Sequence, residues 1–253
     1  MTFLAVLRKE MIEQWRTYRL LIVAVVLFLF GLGSPLLARY TPEMLAAIPN
    51  LPAGLAGFIP KATINDAIAQ YIKNMSQFGI LLALLMTMGT VAQEKERGTA
   101  ALILTRPVSR ETFLLAKFSA LMLTFGVSTL LAALGCWYYT FLLFKALPWA
   151  GFLAMNGLML LVFLVYVAMT LLCSTLVRSQ TGAGGLAFAG LILLAVLSAI
   201  PQLAEHLPGQ LFAWGASLSL GQAQPAWSAL WVSLGLIVVC LAAAMLVFKK
   251  QEL

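Results

Sequence analysis

The chain has 253 residues, 62% of them hydrophobic, with 10% charged residues and a formal net charge of +7; the mean hydropathy is +0.97. So little polar surface cannot cover a water-soluble fold of this length, and the chain reads as a protein whose main solvent is lipid. The basic residues are dispersed over loop ends without interleaved aromatics, which excludes a nucleic-acid-binding face and leaves membrane topology and contact with anionic lipid headgroups as their role.

A bilayer core about 30 Å thick needs roughly 20 apolar residues in a helix. Six uncharged runs approach or exceed that length, at 20–38, 75–91, 118–144, 149–177, 182–200 and 226–248. They lack the two-residue alternation of barrel strands, which predicts an all-α membrane protein in one transmembrane domain, 1–253. Its six spans are set at about 20–38, 75–93, 113–144, 149–177, 182–200 and 226–248.

The chain opens with residues 1–19, where Phe3, Leu7, Met11 and Trp15 recur at helical spacing, with Arg8, Lys9, Glu13 and Arg16 largely off that stripe. This predicts an amphipathic helix lying on the membrane surface. Arg16 and Arg19 precede the first apolar run, as in a signal peptide, but that run is long for one and "PLLARYT" offers no clean small-x-small site. In the connection after it, Pro42, Pro49, Pro52 and Pro60 are expected to interrupt regular structure, and Thr63 with Asp66 forms a capping box for a helix running into span two.

The segment 94–112 gathers charge between two greasy spans. Glu94, Lys95, Glu96 and Arg97 leave span two, Gly98 permits a sharp turn, and "TAALIL" from Thr99 through Leu102 to Leu104 suits a short amphipathic helix. Pro107 ends that helix and biases Arg106 away from helical geometry. Ser109 is an N-cap for the helix that becomes span three, with Arg110 following it and Glu111 near the positive helix end. A short lateral helix clamped between two spans can act as a handle; the alternative is a solvated basic turn that serves topology alone.

Of the later features, Cys136, Cys173 and Cys240 all fall within spans without metal spacing and read as small packing residues, and His206 lacks companions for metal or triad chemistry. The stretch 201–225 has no Lys or Arg yet is apolar, which predicts a re-entrant or surface hairpin between spans five and six. Assigning alternate loops to opposite sides puts twelve Lys and Arg on one side, with both termini and 94–112, and four on the other. The basic side is cytoplasmic, and Trp137, Tyr138, Tyr139, Trp149, Trp227 and Trp231 then lie at the outer ends as an aromatic belt.

None of the uncharged runs holds an ionisable group other than cysteine or tyrosine, against proton-driven transport or intramembrane proteolysis. No G-x-x-x-x-G-K-[ST] phosphate loop is present, so the chain is not assigned ATP hydrolysis. Polar positions in spans two and five, Gln77, Thr87, Thr90 and Ser198, either line a cargo cavity or hydrogen-bond between helices.

The run "EKERGTAALILTRPVSRETFLLAKF" resembles the loop of ABC transporter type-2 permeases, including relatives of the copper-processing permease of the nitrous-oxide reductase system. Glu94, Arg97, Gly98, Thr99, Leu104, Pro107, Val108, Ser109, Arg110 and Lys117 carry the match; Ile103 departs from the pattern's leucine pair. "LRKEMIEQWR" is similar to the family's N-terminal connecting helix through Arg8, Lys9 and Glu10. The resemblance implies that the short helix is a coupling helix for a separate ATPase subunit, present in two copies and carrying ATP and Mg. It also implies a homodimer, or a dimer with a related permease, in a prokaryotic cell membrane. The cargo is left open, and a membrane scaffold that recruits a cytosolic partner is the rival reading.

Overall fold

The computed structural model describes residues 3–46, 61–98, 109–144, 147–222 and 224–251. The described residues form α1 (Phe3–Arg16), α2 (Arg19–Ala46), α3 (Ile64–Thr87), α4 (Gly89–Glu96), α5 (Arg110–Phe144), α6 (Trp149–Leu176), α7 (Gln180–Ser198), α8 (Pro201–Ala204), α9 (Gln210–Ser219) and α10 (Trp227–Lys250). Six helical stretches are long and apolar enough to cross a membrane: α2, α3 continued by α4, α5, α6, α7 and α10. The protein is an all-helical, multi-pass membrane protein.

Local chemistry accounts for three helix starts. The Asp66 carboxylate accepts from the Thr63 N–H at 2.8 Å and from its hydroxyl at 2.7 Å, fixing the start of α3. Ser109 Oγ accepts from the Thr112 N–H at 3.1 Å and opens α5. Ser179 does the same for α7 through Gly182. Pro42 departs from expectation, because α2 runs through both Pro35 and Pro42 to Ala46. The residue before each proline bonds back one turn: Ser34 Oγ donates to Phe30 O and Thr41 Oγ1 to Leu37 O, each at 2.5 Å.

The interior is built where small residues let helices close up. A Cβ on Gly31 of α2 would lie 2.4 Å from the Ala132 carbonyl oxygen of α5, so these two backbones are in direct contact. Gly79 of α3 likewise leaves room for the Phe163 ring of α6. Around these contacts Leu27, Tyr71, Met75, Phe125, Phe152 and Phe163 form the main core. Polar groups inside it are paired between spans: Tyr71 donates to Asn156 Oδ1 at 2.6 Å, and Asn74 to Ser34 Oγ at 2.9 Å. The stretch after α7 folds back, with α9 burying Leu211, Trp214 and Gly215, the last of these against Met155 of α6.

α1, the ends of α4, α6 and α10, and the starts of α5 and α7 meet at one end of the bundle. Trp137 packs edge-on against Trp149, and Trp214 against Trp227, at the opposite end. α7 buries only Ala183 and Ala187 and lies at the periphery.

Candidate functional site: the charged end of the bundle

Among the described residues, charge is buried at one place. Lys117, on the first third of α5, is 2% exposed. Its ammonium donates to Glu94 Oε1 at 2.8 Å and to Glu10 Oε2 at 3.1 Å. Lys9 lies 2.9 Å from Glu10, 2.9 Å from Glu13 and 3.6 Å from Glu94. Three carboxylates come together, with oxygens within 4.8 Å of one another, because two ammonium groups stand between them. The cluster ties α1, the end of span two and the beginning of span three into one node. The Phe113 ring, 4.8 Å from the Lys117 nitrogen, covers it from below.

Neighbouring contacts extend the node along α1. Gln14 accepts a hydrogen bond from Thr124 of α5, and Arg19 donates to Gln93 at 3.3 Å. The buried face of α1 is therefore Val6, Glu10 and Gln14, whereas Phe3 and Trp15 are exposed. Of the apolar stripe expected from the sequence, Phe3 and Trp15 face away from the bundle, whereas Leu7 and Met11 are half-buried and Leu7 packs beside Val6 against the core. Burial pulls the Lys9 ammonium down, but Glu10 beside it, with Glu13 and Glu94, outweighs this and holds it above the usual lysine range. Burial pushes Glu13 up, yet the Lys9 hydrogen bond and the charges of Lys117 and Arg19 hold its carboxyl below the usual value.

The remaining sequence-derived residues fall around this node. Glu96, Arg97 and Gly98 are exposed. Gly98 has φ +69 and donates to Lys95 O at 3.1 Å, so the turn out of α4 uses left-handed backbone that favours glycine. Ser109 caps α5, and Arg110 reaches the end of α10. Arg8 is exposed on α1. The expected coupling helix, with Thr99, Leu102, Leu104, Arg106, Pro107 and Val108, lies outside the described residues.

Sequence reasoning missed two parts of this end. Ser174 of α6 sits at the junction of α3 and α4, where its hydroxyl accepts from the N–H groups of Val91 at 3.1 Å and Ala92 at 2.9 Å. It donates to Met88 O at 2.8 Å, so one buried hydroxyl serves three backbone groups at a helix break. Thr175 O is met by Lys95 Nζ at 2.7 Å and by Gln251 Nε2 at 2.8 Å. Neither signal is visible locally, since a serine in an apolar helix or a glutamine just past a helix end also suits ordinary packing or solvent contact.

The polar span residues separate. Gln77, with Ser76 and Tyr166, lines a laterally open cavity of about 440 Å³ between α3, α6 and α7, walled by Ile80, Leu84 and Phe188. Thr87 is buried and Thr90 donates to its carbonyl at 2.7 Å. Ser198 donates to Leu194 O at 2.8 Å on the exposed end of α7.

A six-span helical bundle with an amphipathic surface helix bonded to the charged junction of spans two and three is the architecture of a membrane transport component. The chain belongs to the ABC-2 family of transporter proteins, whose family model matches residues 4–253. It is also similar to the uncharacterized transmembrane protein YxlG of Bacillus subtilis strain 168, 29% identical over 211 residues that cover 82% of this chain and 81% of that one. The match reaches the family and not its copper-processing subgroup.

Proposed function

We propose that this chain is the permease subunit of an ATP-binding-cassette exporter, working as a dimer and driven by a separate cytosolic ATPase that docks on segment 94–112 and α1. ATP and Mg belong to that partner. Both termini are cytoplasmic, in a prokaryotic cell membrane. The observation that carries the reading is the Lys117 node, whose buried ion pairs hold α1 and both flanks of the loop as one body. A force applied to such a loop is delivered to spans two and three without being dissipated at a flexible joint. A scaffold that only recruits a partner has no need of this stiffness.

The test is co-purification with a candidate ATPase subunit, with its hydrolysis rate measured in lipid discs. Gly98→Val strains a left-handed turn, and Pro107→Leu, outside the described residues, removes the helix-ending residue expected from the sequence. Both variants are expected to insert normally and to lose permease-dependent stimulation of hydrolysis. Glu94→Ala weakens the node by about 1 to 3 kcal/mol through loss of charge-assisted bonds. Unchanged assembly and turnover in all three variants would sink the exporter reading and leave the scaffold. The same preparation, weighed in detergent, is expected to hold two copies of the chain.

A further inference from the structure

The helix that ends the bundle is bound to the loop flanks from both sides. Arg110, the second residue after Pro107 and Val108, places its Nη1 at 2.6 Å from Phe248 O, 3.0 Å from Lys249 O and 2.8 Å from Gln251 O. These are the last carbonyls of α10, which have no partner within their own helix and carry the negative end of its dipole. A guanidinium from span three thus caps span six. Below it the rings of Phe113 and Phe248 stack at 5.6 Å, and the Arg110 charge lies 5.9 Å from the Phe248 centroid. From the other flank, Lys95 of α4 donates to Gln251 Oε1 at 3.1 Å, while Gln251 Nε2 joins Lys95 in bonding Thr175 O of α6.

Gln251 therefore touches groups on spans two, three and four at once, and Arg110 converts the end of span six into part of the same junction. We infer that Arg110 and Gln251 are positioning residues that clamp the end of α10 to both flanks of the loop, so that span six moves as a unit with spans two and three. The clamp and the Lys117 node share the Phe113 ring but no polar group: the polar contacts of the node hold α1, those of the clamp α10. Its geometry stands by itself, and its part in transport rests on the exporter reading. All three carbonyls are met by Nη1, and the rigid guanidinium plane, which also lies over the Phe248 ring, holds that nitrogen in place more firmly than the flexible stem of a lysine would.

The test uses the full chain in lipid vesicles, with Cys136, Cys173 and Cys240 replaced by alanine and nitroxide labels on exposed positions. A label pair at Glu96 and Leu246 reports the clamp; a pair at Arg8 and Glu96 reports the Lys117 node. The parent is expected to give one narrow distance for each pair. Arg110→Ala and Gln251→Ala should broaden the first distance and leave the second narrow, with Arg110→Lys intermediate. Glu10→Gln should do the reverse. A narrow Glu96 to Leu246 distance in both alanine variants would overturn the clamp. In discs with the ATPase, Arg110→Ala should lose stimulation of hydrolysis, and Gln251→Ala, which lies outside the docking segment, should lose it while keeping the partner bound. If Gly98→Val uncouples and Arg110→Ala does not, concerted movement of span six is overturned. If Gly98→Val, Pro107→Leu and Glu94→Ala all leave coupling intact, the exporter reading fails instead, and the clamp is decided by the distances.

Discussion

Lys117 is the residue on which the charged end depends. An ammonium 2% exposed would be costly in isolation; two carboxylates at 2.8 and 3.1 Å make it tolerable. Removing one side of such a set leaves uncompensated buried charge. Lys117→Met is expected to lower stability by about 3 kcal/mol, read as the midpoint shift in denaturant titration of the detergent-solubilised protein. Adding Glu10→Gln and Glu94→Gln to it should recover most of the loss, because the charges then disappear together. A single variant as stable as the parent would show that the carboxylates are satisfied by water. The sequence marked Lys117, Glu94 and Glu10 as motif positions, but the Lys117 to Glu10 bond joins residues 107 positions apart. No local pattern encodes that approach.

At the scale of an element, α1 shows how the same residues serve two solvents. Its apolar stripe was legible from spacing alone. That Glu10 and Gln14 form the buried side was not, since both are polar and burial depends on which partners α5 presents. The ion pairs give α1 docking a pH window. Glu13 has a lowered folded value, so its contribution is complete above the ordinary 4.5 and is lost as pH falls through the lower folded one. Lys9 has a raised folded value, so its contribution is complete below 10.5 and is lost as pH rises beyond it. The spin-label distance between Arg8 and Glu96 should therefore hold steady between those limits and broaden on acidification below 4.5. Both side chains are substantially exposed, at 38% for Glu13 and 44% for Lys9, so solvent screening keeps the effect modest. Glu13→Gln should weaken the acid limb; an identical limb in that variant would remove Glu13 from the explanation. α2 makes the complementary point: Pro42 reads as a break, yet α2 runs on through it to Ala46.

For the molecule as a whole, α1, the loop flanks and the last turn of α10 share one end, which is also the end rich in Lys and Arg. The proposed cytoplasmic placement of that end follows from the charge bias. Cysteines introduced singly at Ser109 and at His206, both exposed, in the cysteine-free parent should react with an impermeant reagent from the inside and the outside of the cell respectively. Reaction of both from one face would contradict a bundle in which they lie at opposite ends of α7 and its neighbours.

The sequence by itself determined the solvent, the helical class, the six spans, the caps at Thr63 and Ser109 and the turn at Gly98. These depend on composition, on runs long enough to cross hydrocarbon and on side chains that bond within a few positions of themselves. Only the tertiary structure decided that Lys117 gathers Glu10 and Glu94, that Ser174 fills the break in span two and that Arg110 and Gln251 bind span six to the loop. Each of these contacts joins different helices, and lipid surroundings make their polar groups seek partners wherever packing brings one near. The choice among possible partners is made by how closely the glycine-lined backbones approach, which no single span specifies.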